Sequence, residues 1–194
     1  PPPPPPLFLH PHAGTRDFCL SRGLGDVYKR QVTSRASIKF GPRTQKYINI
    51  ANNFYEICKE TEFECDFSDH IELDLWRKYV LIGATAASTV LFQKPLGEIS
   101  ATTYGKSLII EIHEECKKIV LSKGYDIGIE AKNYNLKLIT DKGSLLKASM
   151  LRDFESGKKT ECEHILGYLI ELAKRNNVQC DLIKAAHTRI QVGL

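Results

Sequence analysis

Lys78 is the side chain in this sequence whose setting points most directly to chemistry. It lies in the stretch from Asp69 to Phe92, DHIELDLWRKYVLIGATAASTVLF, and from Tyr79 to Phe92 no charge follows it. Partial burial disfavours an ammonium and lowers its pKa, which would make this lysine a usable proton donor near neutral pH. Spacing alone leaves a second reading open, in which the methylene stem lies along apolar surface and the head reaches water. A second group of polar residues is Ser149-Met150-Leu151-Arg152-Asp153, followed by Gly157 and Thr160-Glu161. Taken singly, Ser149 reads as a helix cap, Asp153 as a capping or surface acid, and Glu161 as a first-turn acid favouring a helix N-terminus. The histidines at 70, 113, 164 and 187 show no spaced carboxylate or cysteine partner, no Ser-His-Asp arrangement is visible, and no metal ligand set is expected.

The element that must carry Lys78 is a helix over 69–92. Asp69 and Glu72 form a capping-box-like start, and Ile71, Leu75, Ile82 and Ala86 recur at helical spacing on the stripe that includes Lys78. The uncharged part must be buried on nearly every side, yet it is shorter than the roughly 20 apolar residues of a membrane span. The remainder reads as helix after helix. Ser37 to Pro42 is a short strand-like piece ended by a turn; Thr44 to about Thr61 is an amphipathic helix; Pro95-Leu96-Gly97 makes a turn. A second long helix runs from Ser100 to Lys123 and stops at Gly124, with weaker helices over 125–140 and 148–154. Thr160-Glu161-Cys162-Glu163 is a capping box opening a helix to about Asn176, and Asp181 caps a last one to about Val192. The fold class is therefore all-α, with a long buried central helix.

Composition bounds the rest. Seven of the nine prolines fall in the first eleven residues, and the chain opens on Pro1 with its single methionine at position 150, so a natural start is not expected at residue 1. Cys19 to Gln31, CLSRGLGDVYKRQ, resembles translated sequencing-adapter read-through, and residues 1–31 are read as a non-native scar. Gly23-Leu24-Gly25 is accordingly rejected as a dinucleotide fingerprint, having neither a preceding strand nor a third glycine in place. Residues 1–31 carry four basic and two acidic side chains, which leaves 23 against 21 for the rest, a balance that makes no case for nucleic acid or an anionic membrane. Six cysteines without C-x-x-C pairing read as small apolar residues of a reducing compartment, with the cytoplasm as the expected location.

Leu75-Trp76-Arg77-Lys78, then Pro95-Leu96-Gly97-Glu98-Ile99, resembles the start of the C-terminal domain of the ketopantoate reductases (2-dehydropantoate 2-reductases). Glu114-Glu115 with Gly124 is similar to that family's next helix, and Ser149 to Asp153, Gly157, Thr160-Glu161 and Gly167 to its serine–aspartate–glutamate signature. The resemblance covers about residues 36–192, with residues 32–43 as the tail of an N-terminal domain and 44–194 as the helical domain, of the 6-phosphogluconate dehydrogenase C-terminal type. It implies an NADPH-dependent reductase that converts 2-dehydropantoate to pantoate on the route to pantothenate and coenzyme A. The cofactor would be bound by an N-terminal Rossmann domain that this chain lacks, so the chain alone is expected to be inactive. By the same resemblance Lys78 is the general acid, Ser149 and Glu161 hold the substrate's polar groups, and Asp153 and Glu115 occupy further substrate-side positions.

The sequence also departs from the family pattern. Four and eight residues after the lysine, where the family's pantothenate enzymes carry substrate-side asparagines, stand Ile82 and Ala86, while Thr85 and Ser88 are read as projecting from other parts of the helix. Cys180 stands where a proline is common before the last helix. A paralogue reducing another 2-oxo acid is therefore an alternative, as is a non-catalytic helical interaction or dimerisation module. The expected partners are a small 2-oxo acid and a second copy of the chain, with no nucleic acid and no membrane.

Overall fold

A computed structural model of the chain describes residues 37–61 and 64–193. The expected scar over 1–31, including Gly23-Leu24-Gly25, lies outside the described residues. The chain divides into two compact units, with the boundary between Leu75 and Trp76.

In the first unit, strand β1 (Ser37–Phe40) and strand β2 (Glu64–Phe67) pair in parallel, Ser37 opposite Glu64 and Phe40 opposite Phe67. Helix α1 (Ile48–Lys59) connects them, entered through a 3-10 turn at Gln45–Tyr47. The ring of Phe40 meets those of Phe54, Tyr55 and Phe67 at 4.7, 6.2 and 5.9 Å, so aromatic packing seats the helix on the sheet. Ile50 and Ile57 of α1, and Tyr47 of the turn before it, are exposed to solvent. Strand β2 was not anticipated, because the alternation of Glu64 and Asp66 outward with Cys65 and Phe67 inward lasts only four residues. The long helix α2 (Ile71–Phe92) starts in this unit. The acceptor at its entrance is Ser68, whose Oγ receives the His70 N–H at 3.2 Å, rather than the Asp69 carboxylate.

In the second unit the remainder of α2 is the buried centre. Trp76, Tyr79, Val80, Ala84, Ala87, Ser88, Thr89 and Val90 are wholly inaccessible. Gly83 lets two helices close in, since a Cβ there would stand 2.8 Å from Leu169 Cδ1 and 3.4 Å from Cys116 Sγ. Around it lie α3 (Leu96–Ser100), α4 (Gly105–Ser122), α5 (Gly128–Ile139), α6 (Ser149–Glu155), α7 (Tyr168–Arg175) and α8 (Asp181–Val192). The helical fold class is as expected, and α4 ends at Gly124, which adopts φ +95° and turns the chain back with its N–H on Leu121 O.

Three local expectations are corrected. Pro95-Leu96-Gly97 is the start of α3 rather than a turn, because proline's fixed φ suits a helix entrance, and the second long helix begins at Gly105. Thr160 to Glu163 makes no capping box: Thr160 Oγ1 receives the Cys162 N–H at a long 3.4 Å, and the segment widens into a π turn, Glu163–Gly167, before α7. Asp181 is the first residue of α8 and does not cap it. That task falls to Glu115 of α4, whose two carboxylate oxygens accept the N–H groups of Leu182 and Ile183 at 3.1 and 3.0 Å.

Candidate active site

Lys78 sits half-buried on the first turn of α2 in the second unit, and the residues on either side of it in the chain are both tied down. Arg77 Nε donates to Ile127 O at 3.0 Å, fixing one side of the turn to the connection between α4 and α5. Tyr79, fully buried, donates its hydroxyl to Ile165 O at 2.8 Å, inside the π turn. Its ring meets Trp76 edge-on at 5.7 Å and Tyr168 at 6.2 Å, and Trp76 in turn lies against Tyr125 at 5.3 Å. Successive residues of a helix point about 100° apart, so Lys78 projects into the sector between these two anchored neighbours.

Glu161 immediately precedes the π turn, and its backbone carbonyl accepts the N–H groups of His164 and Ile165, both at 3.1 Å. Through Tyr79 the turn of α2 bearing Lys78 is thus joined to the segment bearing Glu161. The Glu161 carboxylate is exposed. Ser149 is the first residue of α6 and exposed, and Asp153 lies half-buried one turn on. Among the described residues neither side chain makes a hydrogen bond or ion pair, which leaves both oxygens available to a ligand. The segment before α6 is held to α3 by Leu96 N–H on Leu146 O and Gly97 N–H on Ser144 O, both 3.0 Å. Arg189 of α8 packs over the Phe154 ring at 5.4 Å. Glu115, expected near the substrate, has both oxygens engaged at the α8 N-terminus, as described above.

Several site features escaped sequence reasoning. Thr85 follows Lys78 by seven residues, close to two whole helical turns, so it projects on the Lys78 side rather than elsewhere. Its hydroxyl and that of Ser88 are buried without a hydrogen-bond partner among the described residues. His187 does have a carboxylate partner: Glu163 Oε1 lies 3.0 Å from its Nε2, across 24 residues of sequence. The pair closes over Gly167, where a Cβ would stand 2.6 Å from Glu163 Oε2. The signal that could have located it is the glycine four residues after a glutamate within a helical stretch. A cleft of about 550 Å³ opens near Phe92, Thr102, Tyr104 and Leu108 at the other end of α2. Phe92 is about 20 Å along the helix axis from Lys78, and the cleft contains none of the candidate residues. Among the described residues no three His, Cys, Asp or Glu side chains cluster as a metal site, and no helix is long and apolar enough to cross a membrane. Cys58, Cys116, Cys162 and Cys180 are buried free thiols, and burial pushes Cys162 up to about 12.

The fold and the order of these residues define a class of helical domain, and comparison with known proteins gives the family. Residues 70–192 match the family described as "Ketopantoate reductase PanE/ApbA C terminal", and the chain belongs to the ketopantoate reductase family. It is 32% identical over 152 residues to the uncharacterized oxidoreductase YkpB of Bacillus subtilis (strain 168), covering 78% of this chain and 49% of that protein. It is 28% identical over 135 residues to the 2-dehydropantoate 2-reductase of Pyrococcus horikoshii, covering 68% and 44%. Its fold is similar to that of D-mandelate dehydrogenase in complex with NADH, with a TM-score of 0.69 at 17% identity, over 82% of this chain and 54% of that one. The chain spans about half the length of the curated relatives it matches.

Proposed function

We propose that this chain is the substrate-side helical part of an NADPH-dependent reductase that converts 2-dehydropantoate to pantoate, with Lys78 as the general acid. The observation that carries the reading is the placement of Lys78 on a half-buried turn braced at Arg77 and Tyr79 and joined to the segment of Glu161. Reduction of a ketone develops negative charge on the carbonyl oxygen, and a positioned ammonium stabilises that charge and then gives up its proton. Ser149 can donate a hydrogen bond to a substrate carboxylate or hydroxyl, and the Glu161 and Asp153 carboxylates can accept from a hydroxyl.

Among the described residues, the turn after β1 does not fit a dinucleotide phosphate. The glycine after β1, Gly41, does not leave its missing Cβ open for a phosphate, because the Ser68 carbonyl oxygen already stands 1.9 Å from that point. A nicotinamide nucleotide, which supplies the hydride when bound, would be held by another part of the protein. The contributions assigned to this chain are the proton and the grip on the 2-oxo acid.

The test is Lys78→Ala in the full-length protein, assayed by loss of nicotinamide absorbance with 2-dehydropantoate and NADPH. General acid catalysis is worth about 10²- to 10⁴-fold, so kcat should fall by that factor at an unchanged unfolding midpoint. Activity retained within threefold would refute the role and favour a helical module without chemistry. Ile82 and Ala86 on the Lys78 side of α2 support a second reading, a paralogue acting on a more apolar 2-oxo acid. It predicts a higher kcat/KM for such an acid than for 2-dehydropantoate, and a panel of 2-oxo acids decides between them.

A further inference from the structure

We propose that Tyr79 is a positioning residue for Lys78, acting through the π turn that follows Glu161; the inference rests on the reading of Lys78 as proton donor. A buried phenol hydroxyl is costly unless it is hydrogen-bonded, and Tyr79, with no accessible surface, has a 2.8 Å partner in Ile165 O. That acceptor belongs to the π turn, in which the Tyr168 N–H is shared between Glu163 O and Ile165 O, so the Ile165 carbonyl takes the phenol as a second donor. The Tyr79 ring cannot swing away, because Trp76 and Tyr168 meet it edge-on at 5.7 and 6.2 Å. The bond therefore sets the distance between the α2 backbone next to Lys78 and the backbone that carries Glu161. Arg77 supplies the second brace through Ile127 O, so the Lys78 Cα–Cβ direction is held from both sides. Tyr79 has no route to the substrate itself. Its effect on catalysis is on where the ammonium points, and a misplacement of about 1 Å can cost about 10²-fold.

The experiment compares Tyr79→Phe, Lys78→Ala and Ser100→Ala in the full-length protein with 2-dehydropantoate and NADPH. Tyr79→Phe keeps the ring and removes the bond. It should lower kcat about tenfold, leave KM for the oxo acid within twofold, and keep the pH profile of kcat, since Lys78 itself is intact. Ser100→Ala removes another hydrogen bond of 2.8 Å, to Thr140 O, on α3, and should leave kcat unchanged. An equal loss in Ser100→Ala would mean general softening and overturn the proposal. Wild-type kcat in Tyr79→Phe with an inactive Lys78→Ala would overturn it while leaving the role of Lys78 standing; an active Lys78→Ala would overturn both. Independently of turnover, amide hydrogen exchange at residues 162–166 should quicken in Tyr79→Phe, and exchange identical to wild type would overturn the proposal.

Discussion

His113 should make this fold sensitive to mild acid. It is fully buried on α4, and its Nε2 lies 3.3 Å from the Asn135 amide nitrogen. A neutral ring accepts from that amide, whereas an imidazolium puts a proton on each nitrogen and forces Asn135 to turn over. Burial is the main cause that pushes His113 down to about 4 from 6.5; neighbouring Glu114 opposes it, and Lys132 and Lys117 reinforce it. A base whose folded pKa is depressed is favoured neutral in the native state. The stability it allows is thus fully present above pH 6.5 and is lost as pH falls toward 4. At 1.36 kcal/mol per pKa unit, the native state should lose roughly 2 kcal/mol between pH 7 and pH 5 from this residue. Urea unfolding at both pH values, compared with His113→Leu, isolates the effect, because the other titrating groups are common to both proteins. The wild type should lose about 2 kcal/mol more than the variant. Equal losses would refute the argument that burial without a second partner keeps this imidazole neutral.

Two further substitutions test the framework. Glu115→Gln removes the charge-assisted cap at the α8 N-terminus and should cost about 1–2 kcal/mol, with faster amide exchange at Leu182 and Ile183. Unchanged exchange there would show that α8 caps itself. Gly97→Ala places a Cβ 2.5 Å from Ser144 O and 2.7 Å from Lys142 O; backbone cannot rotate out of the way, so thermal unfolding should show a loss of about 2 kcal/mol or more, and a neutral result would contradict the packing of α3.

What was legible in the sequence was whatever a single segment decides. The uncharged run after Lys78 gave the central helix, Gly124 gave the end of α4, and the motif order gave the family. What was not legible depends on partners distant in sequence. The cap of α8 comes from Glu115, 67 residues before Leu182, so the nearby Asp181 was the natural but wrong choice. The pairing of β1 with β2 spans a whole helix and rests on four alternating residues. The braces on Lys78 run to backbone carbonyls of Ile127 and Ile165, and a carbonyl has no signature in a sequence. Nor could sequence reveal the π turn, since its residues are ordinary helix formers except Gly167.

That turn has a consequence in the arithmetic of chain length. A π turn holds one residue more than the α-helix needs, and the wider ring closed by the Tyr168 N–H on Glu163 O takes up that residue locally, so the chain on either side keeps its bearing. Removing one residue between Glu163 and Gly167 would turn the Tyr168 N–H to Glu163 O bond into an ordinary i→i+4 bond and leave Glu161 on its present bearing. The extra residue is slack in the chain, and within this short stretch the length can fall by one codon without turning the site.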